Sequence, residues 1–241
     1  GTWAEVSLCN ERSRNAMTPG MMDELTRAVD ALEKFAGVGV LIRGEGGDAF
    51  CAGGDLNSVR EHLLASNHAA GMQAHMTAVL DRLSHLPMMV VAAVEGAALG
   101  GGAELLTCCD RIIAGASARV GFVHAALGVS PGWGGGMRLV DRLGAKKALD
   151  LLVSARMLDG RKAVDFGWFD EVVDDGMAVQ RAAAWLDDLA RRPKDAVRGA
   201  VRLIRERTVQ TEREIFLGLW GSEAHRHALQ RGPGKSGGGK R

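Results

Sequence analysis

The sequence lacks tyrosine altogether, and aromatic residues make up only 5% of its 241 residues. A tyrosine hydroxyl is therefore not available as a general acid. No apolar run approaches the roughly 20 residues that a transmembrane helix needs, and no signal-peptide pattern is visible. A surplus of either charge is also lacking, since the formal net charge is +1. We therefore expect a soluble cytoplasmic protein that binds neither membranes nor nucleic acid through a broad basic face.

Cysteine is scarce, with four residues at positions 9, 51, 108 and 109. None of them forms a C-x-x-C pair, so neither a redox motif nor a zinc ribbon is indicated. The histidines in the helical region between residues 57 and 86 do not have the spacing of a zinc pair. We predict that the cysteines are reduced thiols in the core and that the protein has no metal site.

Apolar residues are abundant at 46%, beside 24% charged residues, which is typical of a folded domain with a well-buried core. The length suits one large domain, or one domain with a helical appendage. Glycine is frequent, with 33 residues that lie mostly in short clusters. Such clusters indicate loops in which the backbone comes close to other backbone or to a ligand.

Strand and helix patterns alternate in the first part of the chain. The first strand is predicted at residues 3–8, and Thr18-Pro19 then provides the cap and first residue of a helix. The alternation continues to a strand at residues 111–114 and predicts an α/β core with right-handed crossovers. We predict a core at residues 1–145, a helical region at 146–231 and a flexible, glycine-rich tail at 232–241.

Two glycine turns each join a predicted strand to the start of a predicted helix. We call Ala52–Asp55 the first glycine turn and Gly100–Glu104 the second glycine turn. Free N–H groups at such turns point outward and carry partial positive charge. Two turns that face each other would form an oxyanion hole. Strand–glycine–helix turns are common in α/β proteins, so a purely structural interpretation has equal standing at this point.

Three sequence motifs resemble the signatures of the crotonase (enoyl-CoA hydratase/isomerase) superfamily, in the order and spacing of that family. They are residues 50–56 (FCAGGDL), residues 96–105 (GAALGGGAEL) closing with Cys109-Asp110, and residues 120–139, which include GVSPGWGG. The resemblance implies a spiral of β-β-α units with a C-terminal helical region. It also implies a homotrimer or a hexamer built from two trimers.

The same resemblance implies where an acyl-CoA thioester binds. The two donors of the oxyanion hole are, by position, the backbone N–H groups of Gly54 and Gly101. The residues implied around the CoA moiety are Ser13, Arg14, Asn15, Ala16, Ala52, Gly53, Asp55 and Leu56. CoA belongs to the substrate, and no metal, biotin or pyridoxal cofactor is called for.

The side chains around the reacting carbons resemble one subgroup, the ethylmalonyl-CoA decarboxylases. Hydratases of the superfamily hold water with two glutamates, whereas this chain has Glu104 at the first position and His124 at the second. Phe122-Val123-His124 and Trp133 after Pro131 match the subgroup. The resemblance implies a carbon–carbon lyase that decarboxylates ethylmalonyl-CoA or methylmalonyl-CoA. An enoyl-CoA hydratase or isomerase, and a non-catalytic scaffold that binds CoA or RNA, remain open alternatives.

Decarboxylation of a 2-carboxyacyl thioester requires an oxyanion hole, an apolar wall beside the departing carboxylate, and an acid to protonate Cα. Trp133, Phe122 and Val123 are the candidates for the wall. His124 is the first candidate for orienting the carboxylate or delivering the proton, because an imidazole titrates near neutrality. Glu104 is the second candidate. Both also have structural alternatives: a core histidine bound to a carbonyl, and a glutamate paired with an arginine such as Arg138.

Overall fold

The strands of the chain form two sheets in the computed structural model, which describes residues 1–62 and 66–231. The larger sheet is parallel and contains, in spatial order, β1 (Trp3–Leu8), β2 (Gly39–Gly44), β4 (Met89–Val94), β6 (Arg111–Gly115) and β9 (Glu171–Val173). The smaller sheet contains, in order, β3 (Ala49–Cys51), β5 (Ala97–Leu99), β7 (Arg119–Gly121) and β8 (Leu158–Asp159). Only the β7–β8 pair in this smaller sheet is antiparallel.

Strands come in consecutive pairs that divide between the two sheets. β2, β4 and β6 enter the larger sheet, and the strands that directly follow them, β3, β5 and β7, enter the smaller one. The first two pairs each lead into helices, α2 (Leu56–His62) and α3 (Ser66–Ser84) after β3, and α4 (Gly101–Leu106) after β5. This repeated order confirms the predicted spiral of β-β-α units.

The remaining helices frame this core and continue beyond it. They are α1 (Pro19–Lys34), α5 (Gly135–Leu143), α6 (Ala145–Ser154), α7 (Gly160–Phe166), α8 (Ala178–Leu189), α9 (Lys194–Glu206), α10 (Val209–Leu219) and α11 (Glu223–Arg231). The predicted C-terminal helical region is therefore confirmed. The boundary at residue 145 stays a prediction, because β8 and β9 lie beyond it and extend the two sheets. The predicted tail, 232–241, lies outside the described residues.

Helix α1 begins where the sequence predicts it. The Thr18 side chain accepts a hydrogen bond from the amide of Met21 at 3.3 Å, and Pro19 occupies the first helical position. Proline fits there because the first amides of a helix have no partner inside it. The buried face of α1 carries Met22, Leu25, Val29 and Leu32 at helical spacing.

The larger sheet is covered on both faces, which explains its long apolar strands. Val91 and Ile113 point to one face and pack with Leu186 of α8. Their neighbours Val90 and Ile112 point to the other face and join the main core. Because successive side chains of a strand alternate between faces, both sets must be apolar.

Three of the four cysteines are buried free thiols, at positions 51, 108 and 109. Burial in apolar surroundings raises the pKa of Cys51 and of Cys108 to about 12. The prediction of core thiols is wrong for Cys9, which is exposed. Cys9 follows the last residue of β1 and lies in the loop after it, outside the packed face of the strand.

Across residues 1–62 and 66–231, no helix combines the length and apolar character needed to cross a bilayer. In the same part of the chain, no three histidine, cysteine, aspartate or glutamate side chains are grouped so as to hold a metal ion.

Candidate active site

The two glycine turns lie side by side because the strands that precede them are neighbours. Cys51 of β3 is in register with Ala98 of β5. A Cβ atom placed on Gly53 would lie 3.3 Å from the amide nitrogen of Gly101, and one on Gly102 would overlap the carbonyl oxygen of Cys51. Glycine is therefore required at this close approach, where two backbones pack without side chains between them.

Each turn contains backbone amides that are not used by the fold. Among the described residues, the N–H groups of Gly54 and Gly101 donate no hydrogen bond. Neighbouring amides are engaged: Asp55 donates to the carbonyl of Met17 at 3.0 Å, and Glu104 donates to the carbonyl of Gly100 at 3.0 Å. Gly101 is buried and Gly54 is half-buried, and unpaired amides on adjoining turns are a candidate binding site for a negatively charged oxygen.

The indole of Trp133 lies against both glycine turns. A Cβ atom on Gly101 would overlap this ring, and one on Gly54 would lie 3.9 Å from its Cζ2 atom. Trp133 is only 5% exposed. The ring therefore forms an apolar wall beside the two free amides.

Glu104 fixes the loop that carries Trp133. One carboxylate oxygen, Oε2, accepts hydrogen bonds from the amides of Trp133 at 2.8 Å and Gly135 at 2.9 Å. The other, Oε1, accepts from the amide of Gly132 at 3.2 Å. Glu104 is 1% exposed and lies on α4, all six residues of which are buried. Its carboxylate thus serves as the acceptor for three backbone donors of this loop.

His124 joins the same group of residues. Its Nε2 atom lies 3.2 Å from Oε1 of Glu104, and its side chain is 13% exposed. The Nδ1 atom is buried and has no hydrogen-bond partner among the described residues. The ring thus contacts Glu104 through Nε2, which also lies 3.9 Å from a Cβ atom placed on Gly100 at the second glycine turn.

Arg138 is not the partner of Glu104 that the structural alternative predicts. Its guanidinium donates to the carbonyl of Trp133 and, at 3.2 Å, to the hydroxyl of Thr107. Glu104 and Arg138 therefore bind the same loop, one through its amides and the other through a carbonyl. The predicted pairing of Glu104 with Arg138 is wrong, because both side chains form hydrogen bonds with the backbone of the loop instead.

The other two predicted wall residues occupy different positions. Val123 lies at the second glycine turn, with its Cγ2 atom 3.8 Å from a Cβ atom placed on Gly100. Phe122 is completely buried and stacks on Trp168 at 5.5 Å between ring centroids. Its ring lies 5.8 Å from that of His124. Phe122 thus supports His124 from the core.

The two segments predicted to surround CoA are joined by backbone hydrogen bonds. The amide of Ala52 donates to the carbonyl of Arg14 at 3.0 Å, and the amide of Met17 donates to the carbonyl of Gly53 at 2.7 Å. The structure therefore brings residues 13–16 next to the first glycine turn, although 35 residues separate Met17 and Ala52 along the chain.

Family comparison agrees with this geometry. The sequence profile described as enoyl-CoA hydratase/isomerase matches residues 2–230. The chain belongs to this family. Ethylmalonyl-CoA decarboxylase of Rattus norvegicus is 34% identical over 235 residues, which is 93% of this chain and 78% of the rat protein. The Xenopus tropicalis protein of the same name is 36% identical over 242 residues, 95% of this chain and 79% of that protein.

Solved structures of the family share the fold. The structure of enoyl-CoA hydratase from Bacillus anthracis has a TM-score of 0.88 and 28% identity, covering 94% of this chain and 90% of that chain. A second enoyl-CoA hydratase, from Polaromonas sp. JS666, has a TM-score of 0.87 and 27% identity, covering 95% and 93%. The predicted family and fold are both confirmed.

The residues of segment 13–16, which the family resemblance places near CoA, differ in their exposure to solvent. Ser13 and Arg14 are exposed, whereas Asn15 and Ala16 are buried. The Asn15 side chain accepts from the amide of Asn10 at 2.8 Å and donates to the carbonyls of residues 45 and 49 at 2.9 Å and 2.8 Å. Asn15 therefore shapes the loop from within, and Ser13 and Arg14 are the side chains open to a ligand.

Asp55 and Leu56 begin helix α2 beside the same segment. The carboxylate of Asp55 accepts hydrogen bonds from the amide and the hydroxyl of Ser58, each at 2.8 Å. These donors hold the pKa of Asp55 below its ordinary value. Leu56 is 53% exposed. Asp55 thus caps the helix, and Leu56 offers an apolar surface at its start.

A cavity of about 370 Å³ opens beside Gly54 in this family member, and sequence reasoning missed it. Its apolar walls include Met17, Met22, Val59 and Met72. These residues come from α1, α2, α3 and the strand-like bridge before α1, so no single motif contains them. The one local signal is the pair of methionines Met21 and Met22 on α1, which the sequence pattern indicates only as a buried helix face.

Proposed function

We propose that the protein is an acyl-CoA decarboxylase, a carbon–carbon lyase that acts on 2-carboxyacyl-CoA thioesters such as ethylmalonyl-CoA or methylmalonyl-CoA. The observation that carries this proposal is the contact of His124 with Glu104 beside two unused amides. A hydratase of the family would have a second carboxylate where this chain has the imidazole. The names of the rat and frog relatives support the same reaction.

In the proposed reaction the bond between Cα and the carboxylate carbon breaks, and CO₂ leaves. The electron pair of that bond passes into the thioester, which becomes an enolate with its negative charge on the carbonyl oxygen. The N–H groups of Gly54 and Gly101 donate to this oxygen. Each such donor is worth about 10²–10³ in rate, because it is already oriented before charge develops.

The apolar surroundings favour loss of the carboxylate. The ring of Trp133 and the side chain of Val123 lie at the second glycine turn, where they exclude water from the reacting carbon. Removing water from a carboxylate disfavours its localised charge more than the dispersed charge of the transition state. The carboxylate is thereby destabilised relative to CO₂ and enolate.

His124 is the group that returns a proton to Cα in this proposal. The Glu104 carboxylate is occupied as an acceptor by three amides, so it is poorly placed to act as a donor. In the proposed step His124 is an imidazolium whose Nε2 atom lies 3.2 Å from Glu104 and 3.9 Å from a Cβ atom placed on Gly100. The Nε2 proton passes to Cα of the enolate, the imidazole becomes neutral, and a proton from water restores it. Glu104 acts as a positioning residue that holds both the imidazole and the Trp133 loop.

Binding of the CoA moiety is assigned to residues 13–16 and 52–56, of which Ser13 and Arg14 offer exposed polar side chains. The chemistry described needs no cofactor besides the CoA carried by the substrate. We further propose that the active protein is cytoplasmic and assembles as a homotrimer or as a hexamer built from two trimers.

Incubation of the purified protein with ethylmalonyl-CoA and methylmalonyl-CoA tests the reaction. Mass spectrometry is expected to find butyryl-CoA and propionyl-CoA, together with an equal amount of CO₂. Absence of CO₂ from every 2-carboxyacyl-CoA would reject the proposal.

Hydration is the second candidate, because the solved relatives with similar structures are named enoyl-CoA hydratases. Crotonyl-CoA is the matching substrate, and its hydration at a rate equal to or above decarboxylation would favour this candidate. Tight binding of CoA without turnover of either class of thioester would indicate the non-catalytic scaffold.

A further inference from the structure

We propose that the cavity beside Gly54 receives the 2-alkyl group of the substrate and accepts chains longer than ethyl. This inference rests on the proposed decarboxylation, whose substrate class it extends to 2-alkylmalonyl-CoA thioesters. Gly54, the residue whose amide is assigned to the thioester oxygen, lines the cavity. A substituent on Cα, next to the thioester carbon, is therefore near the entrance of the cavity.

The size of the cavity exceeds what the two named substrates need. Its volume of about 370 Å³ falls in the range of about 300–1,000 Å³ that accommodates whole small molecules. A methyl or ethyl group has only one or two carbon atoms and would leave most of this space unfilled. Chains of about four carbons would occupy more of it.

The walls are apolar and adaptable. Met17 and Met22 are almost fully buried, and Met72 and Val59 complete the walls. Methionine side chains are flexible and adjust to irregular ligand shapes. Each methylene group that moves from water into such surroundings gains about fourfold in binding. The 2-butyl substrate has two more methylenes than the 2-ethyl substrate, so an increase of at least about tenfold in kcat/KM is expected.

The outer rim sets an upper limit to this gain. The Nε2 atom of His75 lies 3.1 Å from the hydroxyl of Thr26 and 4.0 Å from a carboxylate oxygen of Asp23. The Asp23 side chain is 67% exposed and that of His75 is 37% exposed. A chain that reaches this polar, hydrated rim buries no further methylene groups. We therefore expect kcat/KM to level off between 2-butyl and 2-hexyl substituents.

The decisive experiment measures kcat/KM for CO₂ release from malonyl-CoA thioesters with 2-methyl, 2-ethyl, 2-propyl, 2-butyl and 2-hexyl groups. The inference predicts a rise from methyl to butyl and little further gain at hexyl. A rate for the propyl and butyl thioesters below that for ethyl would overturn the inference and leave decarboxylation intact. No CO₂ from any of the five would overturn both proposals.

A matched pair of variants identifies the cavity as the cause. Ala69 lines the cavity from an exposed position of α3, whereas the adjacent Ala70 is exposed and does not line it. Ala69→Phe is expected to lower the butyl-to-methyl ratio of kcat/KM by more than about tenfold, and Ala70→Phe should leave that ratio within about twofold. Circular dichroism would verify the fold of both variants. An equal loss for all five thioesters in Ala69→Phe would assign the cavity to the CoA portion and overturn the inference.

Discussion

The two glycine turns share one local design and differ in their surroundings. The second glycine turn continues into α4, whose six residues are all buried. The first glycine turn continues into α2, where Leu56 and Asn57 are exposed, and it borders the cavity. The same strand–glycine–helix geometry therefore occurs once in a fully packed setting and once at a surface open to ligands.

The two glycine turns are also held in place by different kinds of contact. The second glycine turn is held by the core and by the Trp133 ring, so its geometry cannot adjust without repacking. The first glycine turn is held by backbone hydrogen bonds to Arg14 and Met17, and its remaining side lies against the cavity. The second glycine turn is thus enclosed by packed groups, whereas the first has one side open to the cavity.

Substitution of the turn glycines tests this comparison most strongly. A Cβ atom on Gly101 overlaps Trp133, whereas one on Gly54 lies 3.9 Å from the same ring, an ordinary contact. Gly101→Ala retains the amide but forces it and the Trp133 ring apart, so kcat for ethylmalonyl-CoA is expected to fall by at least about 10²-fold, the value of one oxyanion donor. Gly54→Ala should lower it by less than about tenfold. Equal losses in the two variants would show that the turns do not differ in rigidity.

Substitution of the acidic residue in each turn, Glu104 or Asp55, should give the next largest difference in stability. Glu104→Ala leaves two buried amides, of Trp133 and Gly135, and the part-buried amide of Gly132 without an acceptor. Each buried amide costs about 1–3 kcal/mol, so the free energy of unfolding should fall by at least about 2 kcal/mol. Turnover should also fall more than about tenfold, because the Trp133 loop and His124 lose their anchor. Asp55→Ala removes a cap at an open helix start and should cost much less. Urea denaturation measures the free energy of unfolding of both variants. A larger loss of stability in Asp55→Ala than in Glu104→Ala would refute the prediction.

His124→Ala should affect turnover without a comparable effect on stability. The imidazole contacts the carboxylate of Glu104 and the ring of Phe122, and its Nδ1 atom makes no hydrogen bond with the described part of the chain. Loss of the proposed proton donor should lower kcat by more than about tenfold, as general acids contribute about 10²–10⁴-fold. His227→Ala, on exposed α11, provides a matched histidine control. Normal turnover in the folded His124→Ala protein would remove the assigned role.

The smallest expected effect concerns the charge that caps α2. Because Ser58 holds the pKa of Asp55 below its unfolded value, the ionised carboxylate favours the folded state above about pH 4. This contribution disappears as the pH falls through the lower folded pKa. Asp55→Asn should therefore lower the melting temperature slightly at pH 7, with a difference that shrinks below about pH 4. A difference that stays constant down to pH 3 would exclude this charge effect.

Local signals were sufficient to predict most elements around the site. The cap at Thr18-Pro19, the alternating strands and the two glycine turns depend on nearby residues, and the structure places them as predicted. The partners of Glu104 were not predictable, because its donors are backbone amides about 30 residues away that any residue type could supply. Arg138 was a reasonable partner by charge alone.

Sites built from several separate helices and strands could not be predicted either, because their residues are distant in sequence. The cavity beside Gly54 has walls from three helices, and no pair of its apolar residues is distinguishable in sequence from ordinary core. The prediction that Cys9 is buried was also wrong. Cys9 would be part of β1 only if that strand extended one residue beyond Leu8. The pattern of apolar residues does not define that end of the strand.

The contrast between the cysteines gives the protein a selective labelling position. Alkylating reagents attack thiolates. The raised pKa of Cys51, Cys108 and Cys109 keeps these thiols protonated in neutral solution, and their burial keeps reagents away from them. A maleimide fluorophore should therefore attach to Cys9 alone in the native protein. Its neighbour Asn10 is hydrogen-bonded to Asn15 in the segment assigned to CoA, so emission from this dye would report ligand occupancy without any engineered residue.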